Sequence, residues 1–142
     1  FYPSLWKSTG PSRQPEILKE VQKLIERTGL KPYAKQISKN LPLGFKKRLE
    51  IARALALRPH LLLLDEPSAG LRFEESVQLM DLIRQVCDQG IGVLLIEHNM
   101  RVVMNISELM MVLDHGEKIA EGLPSEIKNH PRVIEAYLGT EA

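Results

Sequence analysis

The sequence has a single cysteine, Cys87, in 142 residues. No internal disulfide can form, and one thiol fits a reducing compartment. No apolar run approaches the roughly 18 residues that span a bilayer. The opening FYPSLWKSTG lacks the charged-then-apolar layout of a signal peptide. Aromatic residues are only 5% of the chain, and none interleaves with basic residues as a nucleic-acid surface would require, so no nucleic-acid partner is expected. No internal repeat or low-complexity tract is visible.

What is present is ordinary in amount and uneven in placement. Apolar residues are 44% and charged residues 26%, as in a globular chain of one domain. The net charge of +1 hides an asymmetry: residues 1–60 carry 13 Lys/Arg against 4 Asp/Glu, and residues 61–142 carry 6 against 14. A basic half can meet phosphates, a membrane surface or nucleic acid, and long helices with solvated lysines give the same balance.

The first dozen residues read as loop. Pro15 and Glu16 suit the start of a helix, and Ile17, Leu18, Val21, Leu24 and Ile25 line one face of it up to Gly29. A second helix is expected from about Gly44 to Leu57, burying Leu49, Ala52, Leu55 and Ala56. HLLLLDEP then reads as a strand buried on both faces. Residues 73–89 predict a helix with Phe73, Val77, Met80, Ile83 and Cys87 inward, and IGVLLIEHN a second buried strand. A helix over about 99–105, two strands around Asp114-His115-Gly116, and small helices near 124–129 and 131–138 follow. Met100, Met104, Met110 and Met111 are expected to pack inward. The order predicts an α/β fold with a parallel sheet, with a junction near residue 58.

Two apolar strands end in reactive groups, Asp65-Glu66 and Glu97-His98-Asn99. Ligands of open α/β sheets bind at such strand ends. A carboxylate there can hold Mg²⁺, which points to Asp65, and a second can take a proton from water, which points to Glu66. His98, one strand over, can orient that water. The helix at Gly44 offers free N–H groups and a positive dipole end to an anion. Lys46, Lys47 and Arg48 read as a solvated face. His60, His115 and His130 have no metal-ligand spacing.

LPLGFKKRLEIARALALRPHLLLLDEPSAGL resembles the heart of an ABC-type ATPase domain. Leu41–Phe45 stand where that family's LSGGQ lies, and Leu61–Glu66 where its Walker B strand lies. Ser68–Leu71 stand at the D-loop and His98 at the switch histidine. The tail GEKIAEGLPSEIKNHPRVIEAYLG is similar to that of branched-chain amino-acid importers. The resemblance implies a partial P-loop NTPase fold, with residues 1–58 as a helical subdomain and 59–142 as the C-terminal part of a RecA-like core. It implies ATP and Mg²⁺ as cofactors, with Asp65 on the metal, Glu66 and His98 catalytic, and Gly44, Leu43 and Ser68 toward the nucleotide. It also implies pairing with a second ABC ATPase domain beneath membrane permease subunits, peripheral to the cytoplasmic face of the membrane, to import branched-chain amino acids or a related solute.

Three departures from the family pattern stand out. No glycine is followed by Lys-Ser or Lys-Thr, so no GxxxxGK[ST] loop exists here, and this chain alone is expected to be inactive. The strand that carries that loop is missing with it, which predicts an open sheet edge beside the His98 strand. Pro42 removes a hydroxyl and an N–H, and Leu43 replaces a glycine. Leu71 replaces the last aspartate of the D-loop. These changes keep a second reading open, a non-catalytic cassette that assembles or regulates.

Overall fold

The computed structural model describes residues 14–138. The first helix, α1 (Gln14–Arg27), has Glu16 in its first turn and Arg27 in its last, both of the sign its dipole favours. The Thr28 hydroxyl donates to the Leu24 carbonyl at 2.7 Å, and Gly29 (φ +70°) ends the helix in a left-handed turn. Its apolar stripe is only half used. Leu24 and Ile25 are half-buried, whereas Ile17, Leu18 and Val21 are exposed and face no cover among the described residues.

Two short turns lead to α2 (Leu43–Leu55), which starts after Pro42. It buries Ile51, Ala52 and Leu55; Leu49 is only half-buried and Ala56 exposed, against the sequence expectation. The helix also stops two residues early. Arg58 adopts φ +51° to aim the chain at the sheet, and this leaves Leu57 outside the last helical turn and exposed.

β1 (Leu61–Asp65) and β2 (Gly92–Ile96) pair in parallel, from Leu61 opposite Gly92 to Asp65 opposite Ile96. The crossover is α3 (Phe73–Cys87), followed by Gly90 at φ +82°. Its inward stripe is Ser76, Leu79, Met80, Leu82, Ile83 and Val86. Met80 and Ile83 match expectation, but Phe73, Val77 and Cys87 are exposed, because the helix is rotated by about one position. Among the described residues β1 and β2 are covered on one face only: Leu62 is buried, while Leu61, Leu63, Leu94 and Ile96 are more than half exposed. The expected double burial fails because α2 and α3 pack on a single side of this two-stranded sheet. Among the described residues the outer edge of β2 pairs with no further strand.

α4 (Met100–Ile106) follows, with the Asn99 side chain accepting from the Val102 N–H at its start. β3 (Met110–Asp114) and β4 (Glu117–Gly122) form an antiparallel hairpin. His115 (φ +47°) and Gly116 (φ +83°) supply the two left-handed positions such a tight turn needs. α5 (Pro124–Ile127), α6 (Pro131–Val133) and a π-helical turn over Ile134–Leu138 complete the description. Met110 packs inward and Met100 and Met104 partly so, but Met111, one residue along β3, points outward and is exposed.

Two hydrophobic clusters hold these elements. Ile51, Leu55, Leu62, Leu79, Met80, Leu82, Ile83, Val86 and Val102 make the first, and Val103, Met110, Val112, Ile119, Ala120, Ile127 and Val133 the second. Each fully buried Leu or Ile contributes roughly 1.5–3 kcal/mol relative to exposure. No helix among the described residues is long and apolar enough to cross a membrane.

Candidate functional site

The carboxyl ends of β1 and β2 are adjacent because Asp65 pairs with Ile96. One residue further on, the Glu66 N–H donates to the Ile96 carbonyl at 2.9 Å, the last rung of the ladder. Glu66 itself is left-handed, at φ +42°. For a residue with a Cβ that costs roughly 1–2 kcal/mol, so the surroundings must hold it there. The turn brings its carboxylate back over β2, where Oε1 lies 3.2 Å from His98 Nδ1. Both side chains are at least half exposed. The two residues singled out as catalytic, 32 positions apart, thus meet at the adjacent ends of two strands.

The loop after Glu66 turns inward. Pro67 and Ser68 are buried, and the Ser68 N–H and hydroxyl both donate to Glu97 Oε1, at 2.9 and 2.5 Å. Glu97 Oε2 is buried with no partner among the described residues. Asp65 is exposed and borders a hollow between α2 and β1 that Lys47, Glu50 and Leu63 also line. A larger hollow lies between α1 and the α2–β1 connection, lined by Ile17, Val21 and Leu55, away from these carboxylates.

The start of α2 forms the other half of the arrangement. Phe45 and Lys46 donate to the Pro42 carbonyl, both at 3.0 Å, so the Leu43 and Gly44 N–H groups precede the first intrahelical bonds. Leu43 lies over the Ser68–Leu71 loop: a Cβ built on Gly70 would sit 3.1 Å from Leu43 Cδ2. A Cβ on Gly44 would sit 3.4 Å from Glu75 Oε1, so a carboxylate already flanks this positive helix end. The Arg72 N–H (3.1 Å) and guanidinium (3.3 Å) bind the other Glu75 oxygen and hold that carboxyl below its ordinary range.

The basic run after Gly44 is not a solvated face throughout. Arg48 donates to the Thr28 carbonyl at 3.2 Å and approaches the Gln78 carbonyl and Oε1 at 3.4 Å. Its guanidinium stands 6.0 Å from the Phe45 ring centroid, and Phe45 packs on Tyr33 with centroids 4.2 Å apart. Arg48 therefore joins α1, α2 and α3. Lys47, 4.0 Å from Glu50, is also mostly covered.

The donor set suits the cofactors the sequence implied. Mg²⁺ is usually held by one or two carboxylates together with phosphates and waters. An exposed Asp65 beside Glu66 can serve it, and no group of three metal-ligating side chains occurs among the described residues. The free first-turn N–H groups of a 13-residue helix can receive a phosphate oxygen. The sequence alone points to no role for Glu97 or Glu75. Glu97 was visible at the strand end, but nothing in its spacing pointed to Ser68, and Glu75 carried no signal.

Residues 3–69 match the family model described as "ABC transporter", and residues 117–142 the one described as "Branched-chain amino acid ATP-binding cassette transporter". The chain is 43% identical over 127 residues to the high-affinity branched-chain amino acid transport ATP-binding protein LivG of Salmonella typhimurium, covering 89% of this chain and 50% of that protein. It is 42% identical over 116 residues to the corresponding protein BraF of Pseudomonas aeruginosa, covering 81% and 46%. A solved ATP-binding cassette of an ABC transporter in its ADP conformation superposes with a TM-score of 0.80 at 28% identity, covering 96% of this chain and 55% of that one. The chain spans about half the length of the curated relatives it matches.

Proposed function

Because the chain belongs to the ABC transporter ATP-binding family, we propose that it supplies part of an ATPase that powers import of branched-chain amino acids or a related small polar solute. The observation that carries this is the Glu66–His98 pair at the ends of two paired strands. In the proposed site Glu66 takes the proton of the attacking water, and His98, in contact with Glu66, fixes the carboxylate's direction. Asp65 would hold Mg²⁺, which supplies charge neutralisation on the transferring phosphate. Leu43 and Gly44 offer their N–H groups to a nucleotide phosphate, and Ser68, whose hydroxyl proton goes to Glu97, can accept from a water held at the nucleotide. Residues 1–58 serve as the helical subdomain and 59–142 as the sheet-bearing part. The partners are a second ABC ATPase domain and permease subunits at the cytoplasmic face of a membrane.

The test is steady-state hydrolysis of MgATP by the transporter subunit carrying this sequence. Glu66→Gln should lower turnover by about 10²–10⁴-fold while ATP binding persists. Wild-type turnover in that variant removes Glu66 from the mechanism. A second reading is favoured by Pro42, which caps α2 with no side-chain hydrogen bond: a cassette that binds and assembles without turning over. A wild-type protein that binds ATP but hydrolyses none would select it.

A further inference from the structure

Two consecutive residues of one strand end grip two residues of the loop that leaves the other. His98 meets Glu66, and Glu97 takes both donors of Ser68. We infer that Glu97 is a positioning residue for the hydrolytic site: it fixes the loop from Glu66 to Leu71, and through it the direction of the Glu66 carboxylate. This rests on the proposed function and names the residue that regulates the geometry of that same site.

The loop begins with a strained residue, Glu66 at φ +42°, whose N–H is tied to β2 and whose carbonyl accepts from the Ala69 N–H at 3.1 Å. A left-handed glutamate relaxes unless both ends of its turn are held. The near end is held by the ladder. The far end is held at Ser68, 8% exposed, whose N–H and hydroxyl converge on one carboxylate oxygen. Losing that acceptor would leave two buried donors unpaired. The Leu71 N–H then donates to the Ser68 carbonyl at 3.0 Å, and Gly70 lies beneath Leu43. A shift at Ser68 therefore reaches Glu66 on one side and the start of α2 on the other.

Only one oxygen of Glu97 does the holding, since Oε2 has no partner among the described residues. The requirement is thus a hydrogen-bond acceptor at the right reach rather than a charge. Glutamine keeps that acceptor, aspartate keeps the charge but falls one methylene short, and alanine keeps neither.

The experiment measures kcat and KM for MgATP, with a thermal melt, in the transporter subunit as wild type, Glu97→Ala, Glu97→Gln, Glu97→Asp and Glu66→Gln. Glu97→Ala should lower kcat about tenfold or more with KM moved less than about threefold, because misplacing a catalytic group by an ångström costs up to about 10²-fold. Glu97→Gln should recover most of that loss, and Glu97→Asp should recover less. Wild-type kcat in Glu97→Ala overturns the inference, as does a KM effect without a kcat effect. Aspartate outperforming glutamine also overturns it, because charge would then be the requirement. If Glu97→Ala does not fold, the order of glutamine over aspartate in kcat, at matched melting temperatures, decides alone. Glu66→Gln separates the two levels: if it retains turnover, the catalytic role proposed for Glu66 fails, and if it alone is inactive while every Glu97 variant is normal, only the positioning role fails.

Discussion

Replacing Arg48 by methionine removes the guanidinium while keeping most of the buried stem. The bond to the Thr28 carbonyl, at 3.2 Å, is the firm one, and Thr28 is fully buried. A hydrogen bond to a charged group contributes about 1.5–3 kcal/mol, and its length here favours the lower end. The two approaches to Gln78, both 3.4 Å, lie at the limit and count for little. The ring of Phe45 at 6.0 Å adds about 0.5 kcal/mol. Together these give about 2 kcal/mol, or roughly 4–8 °C in melting temperature. Thermal unfolding of Arg48→Met against Lys46→Met, whose loss should stay within about 0.5 kcal/mol, measures it. KM for MgATP should stay unchanged. A melting temperature within a degree of wild type, or a raised KM at unchanged stability, would refute the structural role and make Arg48 a phosphate ligand.

Gly70 and Gly90 share a left-handed backbone, at φ +76° and +82°, but a Cβ on Gly70 meets Leu43 at 3.1 Å while one on Gly90 meets nothing within 4 Å. Both alanine variants should lose about 1–2 kcal/mol to strain, and Gly70→Ala should lose more in urea unfolding; equal losses would mean that Leu43 yields freely. Glu75 predicts a pH effect. Its carboxyl titrates below its ordinary value of 4.5, held there by the Arg72 backbone and side chain. Its stabilisation is therefore fully present above pH 4.5 and lost as the pH falls through the lower, folded value. The melting-temperature gap between wild type and Glu75→Gln should close below that pH, and a gap that widens on acidification would reverse the sign.

The order of elements could be read from the chain because each stop is chemically marked: Gly29 after α1, the acids after LLLLD, Gly90 after α3, His115-Gly116 in the hairpin. Glu66 and His98 could be paired in advance because each follows an apolar run that had to become a parallel strand. Burial was less legible. Periodicity shows that a helix or strand has an apolar side, not what lies against it, so it implies cover for Leu61, Leu63, Val77 and Ile17 that the described residues do not give. Arg48 and Glu97 were invisible for a different reason. Their partners lie 20 to 30 positions away, and no local rule links an arginine to a particular carbonyl or a strand-end glutamate to a loop serine.

Leu95 packs against both hydrophobic clusters. The hairpin β3–β4, with α5, α6 and Val103 of α4, makes a core of its own, so it can open as a unit without melting the cluster around Ile83. In amide exchange the two halves would report separate opening free energies, with the smaller one set by the hairpin. β2 would take part in both events. The strand that ends in Glu97 and His98 is then, with α4, a shared wall of two cooperative units, and loosening of the hairpin reaches the proposed chemistry through Leu95.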